Sequence, residues 1–413
     1  METSDKSLLI VGAGHAGSEL AISARQGGWA GPITLLGEEP GVPYHRPPLS
    51  KAYLAGEADL ESILLRPAAA YENARVERIT GVRMTAIDRA ARQVRLEDGR
   101  SLHYDKLALC LGGRPRPLVC EGMPAGAPPA NLLYLRTLQD AGAIGRHLGE
   151  GKRLVIVGGG YVGLEVAASA SKQGVHVTVL EAQPRVLARV AGPRLSQFYE
   201  SVHREHGVEI LTGVQVARVR CEGADITAIE CTDGRVVEAD CVVAGIGMLA
   251  NVDVPMAAGL ATAEGIEVDE HGATSDPDIF AAGDCTRYLH PLYGREVRIE
   301  SVPNALEQAR AIAGWLCGKP KPNRAVPWFW SDQYELKLQM AGLAHGHDRC
   351  VLRGEPASRS FCAFYLQGDR LLAIDAVNRP AEFMAVRRAL VRPLVVDAER
   401  LADEAVPLKD QLA

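Results

Sequence analysis

The sequence predicts an α/β protein: two Rossmann-like dinucleotide-binding domains and a smaller α+β C-terminal domain. Three observations carry the prediction. An apolar run, Leu8-Leu9-Ile10-Val11, leads into Gly12-Ala13-Gly14-His15-Ala16-Gly17 and a helical stretch. The same order returns at Arg153-Leu154-Val155-Ile156-Val157 and Gly158-Gly159-Gly160-Tyr161-Val162-Gly163. From about Asn323 onward no such turn occurs, and short strands precede one helix. The expected partition is 1–115 with 247–323, then 116–246, then 324–413.

In the first turn Gly12 permits the tight bend, Gly14 lets backbone approach a pyrophosphate, and Gly17 lets helix and strand pack closely. The helix start offers unpaired N–H groups and a positive dipole end to phosphates. Ala16, Leu20 and Ala24, with Ala21 alongside, give that helix its buried face. Ile33 to Gly37 is the second strand, and Glu38 at its end stands where a carboxylate accepts both hydrogens of a ribose diol. The loop Gly41 to Lys51 contains Pro47-Pro48, which predicts an extended segment with no helix across it. It would hold Arg46 and Lys51 on a stiff support; taken alone it reads as a solvated connector. Short strands and turns fill 82–113, with Asp98-Gly99 at a hairpin. Asp105 to Gly112 has the continuous apolar run of a strand covered on both faces. Residues 114–130 are Pro-rich and read as a crossing linker.

The plan then repeats. Val162, Val166 and Ala170 line the second helix, Val177 to Leu180 leads to Glu181, and Asp233-Gly234 marks a hairpin. Asp240 to Gly247 echoes Asp105 to Gly112, so the chain is read as an internal duplication. Asp276 to Cys285 is a short strand ending in Gly283-Asp284, and Ser301-Val302-Pro303-Asn304 starts a helix with proline near its first turn. The last domain opens on Trp328-Phe329-Trp330. Strands are expected near 336–343, 361–366 and 371–377, with a turn at Gly368-Asp369 and a helix near 380–392.

Composition is that of a soluble globular chain: 413 residues, 47% apolar and 23% charged. A net charge of −6 argues against a general nucleic-acid footprint and makes any basic docking surface local. No apolar run reaches the roughly 18 residues of a membrane span, and Met1-Glu2-Thr3-Ser4-Asp5-Lys6 lacks the apolar core of a signal peptide. The nine cysteines show no CxxC pair and no metal-ligand spacing, so no metal is expected and free thiols in a reducing cytoplasm are.

Two dinucleotide sites in one chain suggest one tightly held cofactor and one exchangeable cofactor: a nicotinamide gives a hydride, and a flavin takes it. A carboxylate at Glu181 hydrogen-bonds a free ribose 2′-OH and repels a 2′-phosphate, which favours NADH. Gln183 and Arg185 nearby leave room for a minor NADPH activity.

The paired Gly-x-Gly-x-x-Gly-x-Glu motifs (Gly12 to Glu19, Gly158 to Glu165) and Gly283-Asp284 resemble the two-dinucleotide flavoprotein superfamily. More specific are Arg46-Pro47-Pro48-Leu49-Ser50-Lys51, Ser301 to Ala309, and Trp328-Phe329-Trp330-Ser331-Asp332-Gln333-Tyr334. These are similar to the NADH-dependent ferredoxin reductases that feed bacterial monooxygenases, over essentially the whole chain. The resemblance implies FAD in the first unit with the Gly-Asp segment, NADH in the second, and an acidic [2Fe–2S] ferredoxin as acceptor. That ferredoxin would supply a cytochrome monooxygenase or ring-hydroxylating oxygenase; an NADH-dependent rubredoxin reductase is the alternative.

By the same resemblance Gly12, Gly14, Ala16 and Gly17 hold the FAD pyrophosphate and Glu38 the adenosine ribose. Lys51 sits beside the isoalloxazine, Met84 meets adenine through its backbone, and Arg136 meets the diphosphate. Asp284 binds the ribityl chain and Val302 offers its N–H to the flavin pyrimidine edge. Gly158, Gly160, Gly163 and Glu181 hold NADH. Lys51 and Glu165 would pair across the flavin, and Trp330 would act as an aromatic lid; a surface ion pair and a core tryptophan are the plainer alternatives. Arg310 is the expected docking cation for the ferredoxin, with Lys337 and Lys409 weaker. A monomer or weak dimer is expected, with no nucleic acid and no membrane partner. A peroxide- or disulfide-reducing flavoprotein would need a redox cysteine near the flavin, and none precedes Cys110. A flavin-bearing signalling module resembling apoptosis-inducing factor would usually carry targeting segments and long insertions, and none is visible.

Overall fold

Five parallel strands in the order 279–281, 106–109, 8–11, 33–37, 76–80 form the centre of the first of two compact units. The computed structural model of the chain describes residues 6–412. The reading of Met1 to Asp5 as part of a start without a signal peptide lies outside the described residues. The first unit comprises residues up to 45, 61–114 and 249–329; the second comprises 46–60, 115–248 and 330–413.

The buried strands explain why the first sheet is parallel. Leu8 to Val11 is buried at every position and Lys106–Leu109 at three of four, so neither faces water. The helix His15–Gly27 buries Ala16, Leu20, Ala21 and Ala24 against Ala305, Ala309, Ile312 and Ala313 of the helix Val302–Leu316. Small residues on both helices allow close packing. A three-stranded antiparallel ribbon (84–88, 93–96, 101–103) follows, and Gly99 at φ +87° turns its hairpin.

The second unit repeats the design. Its parallel sheet runs 209–212, 176–181, 153–157, 241–244, 132–133, and its ribbon runs 216–222, 225–231, 236–238. Gly234 takes φ +87° at the matching hairpin. The fifth strand differs in origin: it precedes its sheet in the chain here, whereas 279–281 follows the sheet of the first unit. The C-terminal portion is a six-stranded antiparallel sheet in the order 328–333, 336–342, 370–377, 361–367, 349–353, with 394–395 also on 370–377. The helix Pro380–Ala389 lies beside the strands 336–342 and 370–377.

One expectation requires correction. Pro47–Ser50 is a 3-10 turn, not extended backbone, and Arg46 is already in the right-handed helical region. The first turn of a helix needs no N–H from its opening residues, so adjacent prolines fit there. Of the helices that went unforeseen, two are the longest. Leu138–Gly145 starts on a capping box between Thr137 and Asp140. Pro193–Glu205 follows Gly192, with Leu195, Phe198, Tyr199 and Val202 on its buried face.

Candidate functional site

The two glycine turns are built from matching parts. Gly12 has φ +108° and Gly158 φ +111°. A Cβ on Gly12 would lie 2.1 Å from the Cys110 carbonyl oxygen, and one on Gly158 would lie 2.5 Å from that of Gly245. Gly12 N–H and Gly158 N–H each donate at 2.8 Å to the last apolar carbonyl of the neighbouring strand, Leu36 and Leu180. Gly17 and Gly163 press on the carbonyls of Gly12 and Gly158, at 1.9 and 2.3 Å from an added Cβ. Gly14 and Gly160 differ from all of these: nothing lies within 4 Å of where their Cβ would be. Each is the N-cap of its helix and neither cap is closed by a side chain. Both turns thus present open backbone and unclaimed first-turn N–H groups, the arrangement a diphosphate fits.

Around the first turn, Glu38 is exposed at the end of its strand and pairs with Arg83. Met84 is buried at the start of the ribbon. Gly283 approaches Ala16 and Ala305, whose β-carbons lie 3.4 and 3.7 Å from its added Cβ. Gln308 fixes this Gly-Asp segment by accepting from Gly283 N–H at 2.8 Å, and Asn304 accepts from Tyr288 at 2.9 Å. Gln308 therefore anchors the residue before Asp284, a contact that sequence reasoning missed although Gln308 stands in the Ser301–Ala309 motif. Val302 is the first helical residue after the Ser301 cap, so its N–H has no acceptor within the helix.

In the second unit both Glu181 oxygens are engaged at 2.7 Å, one by Gly159 N–H and one by Gln183 N–H. The carboxylate is thereby fixed at the end of its strand. Arg185 is engaged within its own loop. Its guanidinium donates to the carbonyls of Ala191 and Ala188 and to Ser196, at 2.7, 3.0 and 2.6 Å, and staples its own loop. Leu187 N–H closes that loop onto Gly159 O at 2.9 Å.

The same unit contains a buried ion pair. Lys51 Nζ lies 2.8 Å from Glu165 Oε1, and Glu165 is only 3% exposed. Ser331 donates to Oε1 at 2.6 Å and Ser50 to Oε2 at 2.5 Å. Arg136 immediately precedes the Thr137 cap of the helix Leu138–Gly145, its N–H is bonded to Asp140, and its carbonyl accepts from Arg46 at 2.5 Å. Trp330 is partly buried on the strand that carries Ser331. The plain surface-pair reading of Lys51 and Glu165 is thus excluded, because losing one partner would strand a buried charge.

Residues 6–309 match the family described as pyridine nucleotide-disulphide oxidoreductase, and residues 328–412 match the reductase C-terminal family. The chain belongs to the pyridine nucleotide-disulphide oxidoreductases. It is 51% identical to the putidaredoxin reductase of Pseudomonas putida over 408 residues, covering 98% of this chain and 96% of that protein. It is 42% identical to the rhodocoxin reductase of Rhodococcus erythropolis over 407 residues, covering 98% and 94%. It matches a chain of the covalent putidaredoxin reductase–putidaredoxin complex with a TM-score of 0.95, at 51% identity and 98% coverage of each.

All nine cysteines of this oxidoreductase are free thiols, and those with altered acidity are pushed up by burial. Among the described residues there is no metal-binding cluster, and no helix is long and apolar enough to cross a membrane. Arg310 is not an isolated cation. It bonds Glu19 at 2.8 Å and Glu307 at 3.0 Å, and Glu19 also bonds Arg66 at 2.7 Å. Burial raises the Glu19 carboxyl, but the two guanidinium groups outweigh it and hold the group below its usual range. Lys337 and Lys409 are exposed.

Proposed function

We propose that the protein is an FAD-dependent NADH:ferredoxin oxidoreductase whose acceptor is a [2Fe–2S] ferredoxin serving a bacterial cytochrome monooxygenase or ring-hydroxylating oxygenase. The observation that carries this reading is the pair of matching glycine turns, each with open backbone at its helix start. FAD belongs to the turn at Gly12, Gly14, Ala16 and Gly17, with Glu38, Met84, Asp284 and Val302. NADH belongs to the turn at Gly158, Gly160 and Gly163, with Glu181 at the ribose. Bound there, the nicotinamide would supply a hydride, an electron pair, and the flavin would take it and pass the electrons on singly.

The chain's own residues bind and orient. The first-turn N–H groups hold diphosphate charge. Val302, with the dipole of its helix behind it, stabilises negative charge at a flavin edge. Lys51 and Glu165 act toward the flavin and the nicotinamide carboxamide, Arg136 toward the diphosphate, and Trp330 as an aromatic cover. No side chain is needed as a general acid or base. The functional partition is 1–115 with 247–323 for FAD, 116–246 for NAD and 324–413 as the smaller domain, in a cytoplasmic protein that is a monomer or weak dimer.

The purified protein should be yellow and should be bleached by NADH under anaerobic conditions; a colourless protein that takes up no flavin would refute the reading. Glu181→Ala should narrow the NADH-over-NADPH preference by about tenfold, the effect of one hydrogen bond to a charged group, as measured by kcat/KM for both nucleotides. An unchanged ratio would remove Glu181 from the ribose site. Arg310 is proposed to meet the acidic ferredoxin, with Lys409 as a second contact. Arg310→Gln should slow ferredoxin reduction by about tenfold and leave ferricyanide reduction nearly intact. The glutamine avoids placing a third carboxylate beside Glu19 and Glu307, and an equal fall in both assays would dismiss the docking role.

A further inference from the structure

The Trp328–Tyr334 motif has a feature that docking and cofactor binding leave unused. Ser331 and Gln333 alternate along one strand and are both fully buried. Gln333 Nε2 donates to Ser331 Oγ at 3.1 Å, and Ser331 donates to Glu165 at 2.6 Å. Gln333 Oε1 lies 2.8 Å from His203 Nε2, and His203 Nδ1 lies 3.0 Å from the Tyr334 hydroxyl. The Tyr334 ring stacks on exposed His206 with centroids 3.7 Å apart.

The direction of every bond in this series follows from the groups available. The amide nitrogen can only donate, so the Ser331 proton is left for Glu165. The amide oxygen can only accept, so His203 carries its proton on Nε2 and its Nδ1 accepts from Tyr334. All donors therefore point the same way, from the surface at Tyr334 to the carboxylate that holds Lys51. A protonated imidazole would lose its acceptor at Nδ1, and burial pushes His203 down to about 4, which keeps it neutral. An amide does not pass protons along readily, so the series transmits orientation. Buried polar groups in an otherwise apolar core require full satisfaction, and this set obtains it by terminating on a single carboxylate.

We propose that His203, Gln333 and Ser331 are positioning residues: a directed hydrogen-bond relay that aims Glu165 at Lys51 and so tunes the reaction. The functional half of the inference rests on the reading that Lys51 and Glu165 serve the nicotinamide–flavin step. The structural half does not. Gln333 acts only through Ser331, so the two residues must behave as one unit and not as independent packing contributions.

The test uses the full-length holoprotein with Ser331→Ala, near-isosteric Gln333→Met, the double variant, and Ser331→Thr, which keeps the hydroxyl. Two quantities are measured: acetylation of Lys51 by an amine-reactive ester, mapped by peptide mass spectrometry, and the kcat-against-KM split for NADH. Each single variant should raise Lys51 labelling about threefold and lower kcat about tenfold, the loss of one hydrogen bond to a charged acceptor. The KM for NADH should hold within about twofold. The double variant should match Ser331→Ala, and Ser331→Thr should restore wild-type labelling. Effects that multiply in the double variant, or unchanged Lys51 labelling in both singles, would overturn the relay. Wild-type protein that NADH cannot bleach would instead refute the enzyme assignment, and the labelling data would still decide the relay.

Discussion

Gly14→Ala is expected to yield a colourless protein, and Gly160→Ala a yellow protein that NADH no longer bleaches. Both substitutions place a methyl group in open space, with nothing within 4 Å, so neither disturbs the packed chain. Both residues have ordinary backbone for a non-glycine residue, with φ −89° at Gly14 and −80° at Gly160. What the methyl blocks is the approach of a diphosphate to the first-turn N–H groups. Two such charge-assisted bonds lost amount to about 3 kcal/mol or more, roughly a hundredfold in affinity. Gly12→Ala and Gly158→Ala are the contrasting pair. Their β-carbons would strike the carbonyls of Cys110 and Gly245 at positive φ, so they should also lower the melting temperature. Visible absorption, NADH bleaching and thermal unfolding of the four variants check the assignment. If Gly160→Ala lost its colour while Gly14→Ala kept it, the two sites would have to be exchanged.

Asp375→Asn should stabilise the protein above neutral pH and have little effect near pH 4. Asp375 is buried on the strand Arg370–Val377, and among the described residues it forms no ion pair. Burial pushes its carboxyl up from 3.8 to about 7, against the opposing hydrogen bond from the Tyr365 hydroxyl at 2.5 Å. Between those values the native state binds a proton that the unfolded chain does not, so this group's contribution falls as pH rises through the window. The full penalty applies above the folded value and reaches about 4 kcal/mol. Asparagine keeps an acceptor for Tyr365 and never ionises. His203 acts in the opposite sense: burial lowers it from 6.5 to about 4, so its contribution rises with pH over nearly the same range. The two slopes offset one another in the wild type. Urea unfolding of Asp375→Asn at pH 4.5, 6 and 8 should therefore show stability climbing with pH, and a slope equal to that of the wild type would contradict the buried-acid account.

The parts legible in the sequence were those imposed by local geometry. A turn that needs positive φ at Gly12 and Gly158 admits little besides glycine, so the duplication was readable, as were the Asp98-Gly99 and Asp233-Gly234 hairpins. The parallel strands declared themselves by unbroken apolar runs at Leu8 to Val11 and Leu107 to Leu109. Pro47-Pro48 was misread because the same restriction on φ suits extended backbone and a helical first turn alike. The loop bonds of Arg185 could not be foreseen, because its partners are the main-chain carbonyls of Ala188 and Ala191, which leave no mark on residue identity. The Glu165 site could be named but not completed. Ser331 and His203 join it from distant stretches of chain, and only the strand 328–333 and the helix Pro193–Glu205 bring them together. Helix Leu138–Gly145 was readable in principle from Thr137 and Asp140, whose spacing is that of a capping box.

The differing origin of the two fifth strands bears on synthesis at the ribosome. The closing strand of the later sheet, Leu132–Leu133, emerges before the strands it joins, so that sheet is complete once Cys241–Ala244 is made. The earlier sheet must wait for Ile279–Ala281, and until then Lys106–Leu109 has a bare side. A buried apolar strand with unpaired main-chain groups is a template for wrong partners. The nascent chain thus passes through a long interval in which the half made first is the half left open, and stalled or truncated products ending before residue 279 would be the ones that demand a chaperone.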